Sequence, residues 1–258
     1  MSLSVDVLPV DRLPIVRLLV SLPSGRSWRV TGSAGDTVWL AGEGVSSGHE
    51  VAFADPWAPL GVPASYVLTT GTGQRFEAGP VVRTFRGDHA VTDVTGRSVV
   101  DFRWAPGDPW EPEPRVSFLD PWGSELPVPT VGGVAGAGGG QIVGKTVRPH
   151  TRTMAALVSK NRTLLLLHND GVCRMPDCDV PLVRTVLLTG APAERTGRAD
   201  TAERSWSLSY RLIPKPYKFL APVATWADVA ARWSSNAELL ASGLSNLELA
   251  RGDWLVEW

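Results

Sequence analysis

The chain has 258 residues, 43% of them hydrophobic and 20% charged, which is enough to bury substantial cores and excludes a disordered tail or a miniprotein. Lys and Arg number 25 against 26 Asp and Glu, for a net charge of −1; this argues against nonspecific nucleic-acid binding, which needs a surplus of basic groups to displace counterions. The 26 Gly and 21 Pro exclude long uninterrupted helices and predict many short strands joined by turns.

Strand-like runs begin at residue 15. Stretches rich in Val, Ile, Leu and aromatics at 15–20, 27–30, 37–40, 50–53, 63–70 and 81–85 alternate with turn clusters such as Pro23-Ser24-Gly25 and Gly42-Glu43-Gly44. About six strands with turns every 8 to 14 residues predict a β-sandwich over 1–85. Residues 1–14 take no assignment.

Further strands are predicted at 99–104, 116–119, 153–158, 163–168, 183–188 and 204–213. In the last of these Trp206, Leu208, Tyr210 and Leu212 alternate with Ser205, Ser207, Ser209 and Arg211, the period of a strand with one face on a core. Asn169-Asp170-Gly171 supplies a tight-turn signal. These predict a second β domain, sandwich-like or barrel-like, over 86–222, with a mobile glycine-rich loop at about 131–144. The fold class expected is therefore all-β, two such domains with a short helical C-terminal tail.

One short segment recurs. Phe53-Ala54-Asp55-Pro56-Trp57 and Phe118-Leu119-Asp120-Pro121-Trp122 share F-x-D-P-W, and a third Asp-Pro-Trp lies at 108–110. Asp-Pro favours turn initiation and a following Trp can cap a core edge, so the segment reads as a repeated strand-to-turn corner, or more sharply as duplication of one β module.

The last stretch, 223–258, changes character. Thr225-Trp-Ala-Asp-Val, Ser235-Asn-Ala-Glu-Leu and Ser245-Asn-Leu-Glu-Leu repeat every ten residues, and each fits the capping-box pattern of a helix start. Helices this short are marginal alone and must dock on something, the chain itself or another subunit. Trp226, Trp233, Leu239, Leu247, Trp254 and Trp258 are the candidate interface residues.

Three motifs resemble chemistry, and none is credible as an active site. Gly139 through Thr146 satisfies the P-loop expression, but its glycine-rich approach and Pro149 deny it the required strand and helix. Gly44-Val45-Ser46-Ser47-Gly48 matches a nucleophile elbow, yet an extended run broken by Pro56 follows where a helix should be. His168, Cys173 and Cys178 could assemble a mixed zinc site, but no second cysteine pair answers them; a local disulfide is an alternative, and unpaired thiols at a hairpin edge are preferred. No catalytic, cofactor-binding or metal-binding residue is therefore assigned. Two cysteines also make no disulfide framework. The first residues lack the cationic and apolar regions of a signal peptide, which predicts a protein kept in the cytosol, and no apolar run nears the ~18 residues of a membrane span.

The residues resemble those of minor tail proteins, of the distal-tail type, from long-tailed bacteriophages that infect actinobacteria. Residues 55–66 (DPWAPLGVPASY) look like a corner those proteins carry in an N-terminal fibronectin-like module; 168–179 (HNDGVCRMPDCD), 195–204 (RTGRADTAER) and 206–214 (WSLSYRLIP) are similar to their second domain, and 225–229 (TWADV) to their C-terminal repeat. The resemblance covers most of 50–250 and its motifs are structural. It implies a virion protein at the tail tip, synthesised in host cytoplasm, with no enzymatic activity and no cofactor. Its partners would be further copies of itself in a ring, commonly hexameric, together with the tail tube, the tape measure and other tail-tip proteins; neither membrane nor sequence-specific nucleic acid is implied. The alternative reading is a carbohydrate-binding or adhesion module whose exposed Trp residues stack on sugars.

Overall fold

The computed structural model describes the whole chain apart from residues 11–12, 105–109, 114–115, 120–126, 132–135, 148, 161–162, 176–177, 197–202, 217–218 and 257–258. Strands take half of the chain and helices 15%, so the protein is all-β, as its composition requires.

Seven antiparallel strands build the N-terminal sandwich: β1 (Ser2–Leu8), β2 (Ile15–Ser21), β3 (Ser27–Ala34), β4 (Thr37–Val45), β5 (Val51–Ala54), β6 (Pro63–Thr70) and β7 (Arg75–Val82). They form one sheet of order β1-β2-β5 and a second of order β4-β3-β6-β7. Alternation sets the core. Trp28 and Val30 of β3 and Ala64, Tyr66 and Leu68 of β6 point inward against Val16, Leu18 and Val20 of β2 and Phe53 of β5. The unassigned N-terminal stretch contains β1, in which Leu3, Val5 and Val7 stand opposite Val20, Leu18 and Val16.

The second region comprises β8 (His89–Asp93), β9 (Val99–Asp101), β10 (Arg103–Trp104), β11 (Trp110–Glu113), β12 (Val116–Leu119), β13 (Val128–Val131), β14 (Gly136–Thr146), α1 (His150–Lys160), β15 (Thr163–His168), β16 (Val183–Gly190), β17 (Ala193–Arg195) and β18 (Arg204–Leu212). The main path runs β10-β14-β18-β16-β15-β8-β9. Since β9 and β10 flank the single residue Phe102, they are one bent strand that pairs with β8 at one end and β14 at the other. The sheet therefore closes on itself as a barrel. Phe102, Ile142, Leu164, Leu166, Val186, Trp206, Leu208 and Tyr210 fill its interior, and Met154 and Leu157 of α1 join them.

Two expectations are corrected. Residues 153–158 belong to α1 rather than to a strand: Met154 and Leu157, three apart, share one buried helix face, and so short an apolar run suits either period. The supposed loop at 131–144 is from Gly136 a long strand, paired with β18 from Gly139 onward. Its glycines make room for neighbours: a Cβ on Gly144 would fall on the Phe102 ring.

The F-x-D-P-W corner after β5 joins sandwich to barrel. Asp55, 1% exposed, accepts hydrogen bonds from Trp39 Nε1 at 2.7 Å, Tyr66 Oη at 3.0 Å and the Trp57 amide at 3.1 Å. The Trp57 indole donates to Thr185 Oγ1 of β16 at 2.9 Å and lies under Lys215 Nζ, 4.2 Å from its ring centre. Arg83 reaches back from the end of β7 to the carbonyls of Pro14, Pro56 and Ala58. At Gly61 the backbone is left-handed, with φ of 75°, and a side chain there would strike Asn169 and Gly171 at the barrel's rim. The two later copies differ in setting: Phe118 is 65% exposed where Phe53 is 1%, and residues 108–109 and 120–122 lie outside the described residues.

Candidate functional site

The C-terminal arm holds α2 (Trp226–Arg232), α3 (Asn236–Ala241), α4 (Asn246–Arg251) and a 3-10 turn at Asp253–Leu255. The three helices start where the repeat predicts, at N-caps Thr225, Ser235 and Ser245. Thr225 and Ser245 make full capping boxes with Asp228 and Glu248. Ser235 accepts from the Glu238 amide, but the Glu238 carboxylate is taken by the amide and hydroxyl of Ser234 instead.

Both ends of the arm dock on the chain's own sandwich, over the outer face of β1-β2-β5. Val223 and Leu255 pack with Leu8, Ile15, Ala52 and Ala54. Arg17 of β2, 7% exposed, is held by Asp6 and by Asp253, and donates to the Arg251 carbonyl at 2.8 Å. Arg251 in turn pairs with Glu50 at 2.6 Å, and Arg97 with Asp228. Burial pushes the Asp228 carboxyl upward, but hydrogen bonds from Thr225 and the charge of Arg97 outweigh it and hold that group below its usual range.

The candidate interface residues thus divide. Trp254 is buried in the chain itself, its ring against Trp233 with centres 5.0 Å apart, and its indole donates to the Leu249 carbonyl. Trp233 and Leu239 are half-buried. Trp226, 74% exposed, and Leu247 face outward, joined by Leu240, which the repeat did not single out. Trp258 lies outside the described residues. A second apolar surface, missed in sequence, is the two-stranded β12-β13 hairpin, which exposes Phe118, Leu119 and Val128. Its hydrophobic residues read as an ordinary strand, and only the sheet order shows that, among the described residues, no third strand pairs with it.

The motifs with a chemical look take structural places. Gly139 through Thr146 is β14 itself, with β18 on one side and β10 and β11 on the other; its amides are committed to ladders and form no phosphate cradle, and Lys145 pairs with Glu203 at 3.2 Å. Ser46 is buried, donates to the Leu22 carbonyl and accepts from the Gly48 amide, which ties its hydroxyl into a turn.

The cysteines are different. An open cleft of about 1630 Å³ runs along the barrel wall, bordered by Arg86, Trp104, His168, Cys173, Asp179 and Arg184. There the ligating atoms of His168, Cys173 and Cys178 lie within 4.8 Å of one another, and both thiols are free, as the preferred reading of unpaired thiols expects. His168 ends β15; its Nε2 is 3.4 Å from Cys178 Sγ, and its Nδ1 is 2.9 Å from Nε2 of His89, directly opposite on β8. In the tautomer whose Nδ1 donates to His89, Nε2 presents a lone pair to the sulfurs. Burial pushes His168 below its ordinary value and pushes the Cys178 thiol up, with Cys173 adding to the effect. That is the wrong direction for a preformed thiolate nucleophile. His89 escaped sequence reading because β8 itself was not recognised.

No family model matches this chain, and no curated protein matches it either. The reading of its role rests on the residues and their arrangement.

Proposed function

We propose that the protein is a structural part of a bacteriophage tail tip, of the distal-tail type, whose copies close into a ring joining the tail tube to host-recognition proteins. The observation that carries this reading is the pair of uncovered apolar surfaces: Trp226, Leu240 and Leu247 on the arm, and Phe118, Leu119 and Val128 on the β12-β13 hairpin. Aromatic anchors of this kind dominate protein interfaces, and a chain does not carry such surfaces in water without cost. The three-strand and four-strand sheets of the sandwich have the order of a fibronectin-like module, in keeping with the resemblance in residues 55–66. A near-zero net charge suits a channel through which a polyanion must pass without sticking, and closed rotational symmetry is the ordinary way for one chain type to enclose a channel.

The test is the mass of the purified protein, alone and mixed with tail tubes. A closed multiple of the 27.7 kDa chain is expected, and Trp226→Ala combined with Phe118→Ser should reduce it to monomer while leaving the circular dichroism unchanged. A chain that stays monomeric under both conditions, or is absent from the tail of imaged virions, overturns the proposal. Saturable binding of host-wall polysaccharide by that monomer, lost on Trp226→Ala, would establish the adhesion reading instead.

A further inference from the structure

The geometry points to a zinc site at the barrel's rim, formed by His168, Cys173 and Cys178. This inference stands apart from any assignment to a virion. The three ligating atoms come from one end of β15 and from the connection that leads to β16, and they converge within 4.8 Å. A tetrahedral ion with bonds of ~2.3 Å to sulfur and ~2.0 Å to imidazole nitrogen sets its ligand atoms ~3.5–3.8 Å apart. His168 Nε2 and Cys178 Sγ, at 3.4 Å, are close to that spacing, and Cys173 Sγ lies within 4.8 Å of both.

Three further features fit a metal better than they fit free thiols. The first is the histidine's orientation. Metal-bound imidazoles almost always have their second nitrogen held by a neighbouring group, and here His89 Nε2 holds His168 Nδ1 at 2.9 Å, which leaves Nε2 for the ion. The second is the connection itself. Its turn is well anchored: Asn169 donates to the carbonyls of Phe85 and Gly87, and the Cys173 amide donates to that of Asn169 at 3.2 Å. Beyond the turn, none of the described residues from 170 to 182 is buried, and Val172 and Met175 are exposed. No described apolar residue of this segment is buried over His168; coordination supplies a reason for it to return. The third is chemistry. Two thiolates and one imidazole are a borderline-soft set that takes Zn²⁺ and rejects Mg²⁺ and Ca²⁺. On binding, Cys173 and Cys178 each release a proton to solvent, and their two negative charges balance the dication. The cleft bordered by His168, Cys173 and Asp179 has room for a water in the fourth position.

The experiment uses the full chain, purified under reducing conditions, with zinc measured by elemental analysis and thiols counted in parallel. About one zinc per chain is expected, lost in Cys173→Ser, in Cys178→Ser and in the double variant. Cobalt in place of zinc should give a thiolate charge-transfer band and the intense visible bands of a tetrahedral site, both absent in Cys178→Ser. His89→Gln, which leaves all three ligands in place, should weaken zinc affinity about 10- to 100-fold in competition with a chromophoric chelator. Trypsin after Arg174, exposed within the connection, gives a local readout free of global unfolding: chelation should speed that cut and added zinc should restore protection. A fully reduced chain that takes up neither zinc nor cobalt, a double serine variant that keeps a full equivalent of zinc, or a Cys173–Cys178 disulfide in protein freshly drawn from the cell would each overturn the proposal.

Discussion

Asp55 accepts from three donors inside the joint between sandwich and barrel, two of them through fully buried bonds. Replacing it with Ala strands the Trp39 indole, the Tyr66 hydroxyl and the Trp57 amide. At ~1–3 kcal/mol for each buried donor left unpaired, Asp55→Ala should cost about 3 kcal/mol or more, a fall in Tm of about 6–12 °C by calorimetry; a fall under about 2 °C would show that water replaces the carboxylate. The neighbours are tuned to keep this arrangement at physiological pH. Burial, with Asp55 beside it, pushes Tyr66 well above its ordinary value, so the phenol remains a donor. Burial lowers Arg83 to about 10, the charge of Asp55 opposing it, which still leaves the guanidinium protonated to serve its three carbonyls.

The arm shows how a short element survives by local satisfaction plus docking. Capping boxes satisfy the first amides of α2 and α4, and the Asp228 carboxylate that closes one of them also meets Arg97 across the docking face. Because the folded chain holds Asp228 below its usual 3.8, the unfolded arm takes up a proton first as pH falls. The stabilisation is therefore complete above about pH 4 and is lost as pH drops through the folded-state value. Fluorescence of Trp233 and Trp254 should shift red in that window while the barrel's far-ultraviolet signal holds; an arm signal with the same acid response in Asp228→Asn as in the parent chain would contradict this. Legibility followed the same division between local and distant causes. The starts of α2, α3 and α4 could be read from hydroxyl and carboxylate three residues apart, and β18 from its alternation, because both patterns live within a few residues. Glycine-rich β14 could not, since what makes its glycines useful is the Phe102 ring arriving from elsewhere. The helix α1 hid behind β-branched Thr151, Thr153 and Val158. At the metal cluster His168, Cys173 and Cys178 were visible by spacing, whereas His89 depends on strand register some 80 residues away.

At the scale of the molecule, three layers are stacked on one side and a closed cylinder stands on the other. The arm covers the outer face of β1-β2-β5, that sheet covers β4-β3-β6-β7, and the Trp57 corner fixes the stack to the barrel. The two ends of the chain are brought together where Arg17 near the start meets Asp253 near the finish. The arm is therefore a clamp on the first strands as well as a display surface for Trp226.

The bent strand through Phe102 has a dynamic consequence. A sheet with an open edge can lose strands one at a time, fraying from the outside, whereas a sealed ring of hydrogen bonds offers no outermost strand from which to begin. The amides of β14, β15, β16 and β18 should then exchange with deuterium in one step, at a single free energy that equals global unfolding. Those of β4, at the rim of the sandwich, and of the β12-β13 hairpin should exchange far sooner by local opening. Amides of β14 that exchange ahead of β15 under native conditions would mean that the seam at Phe102 opens by itself, and that the cylinder is a rolled sheet with a latch.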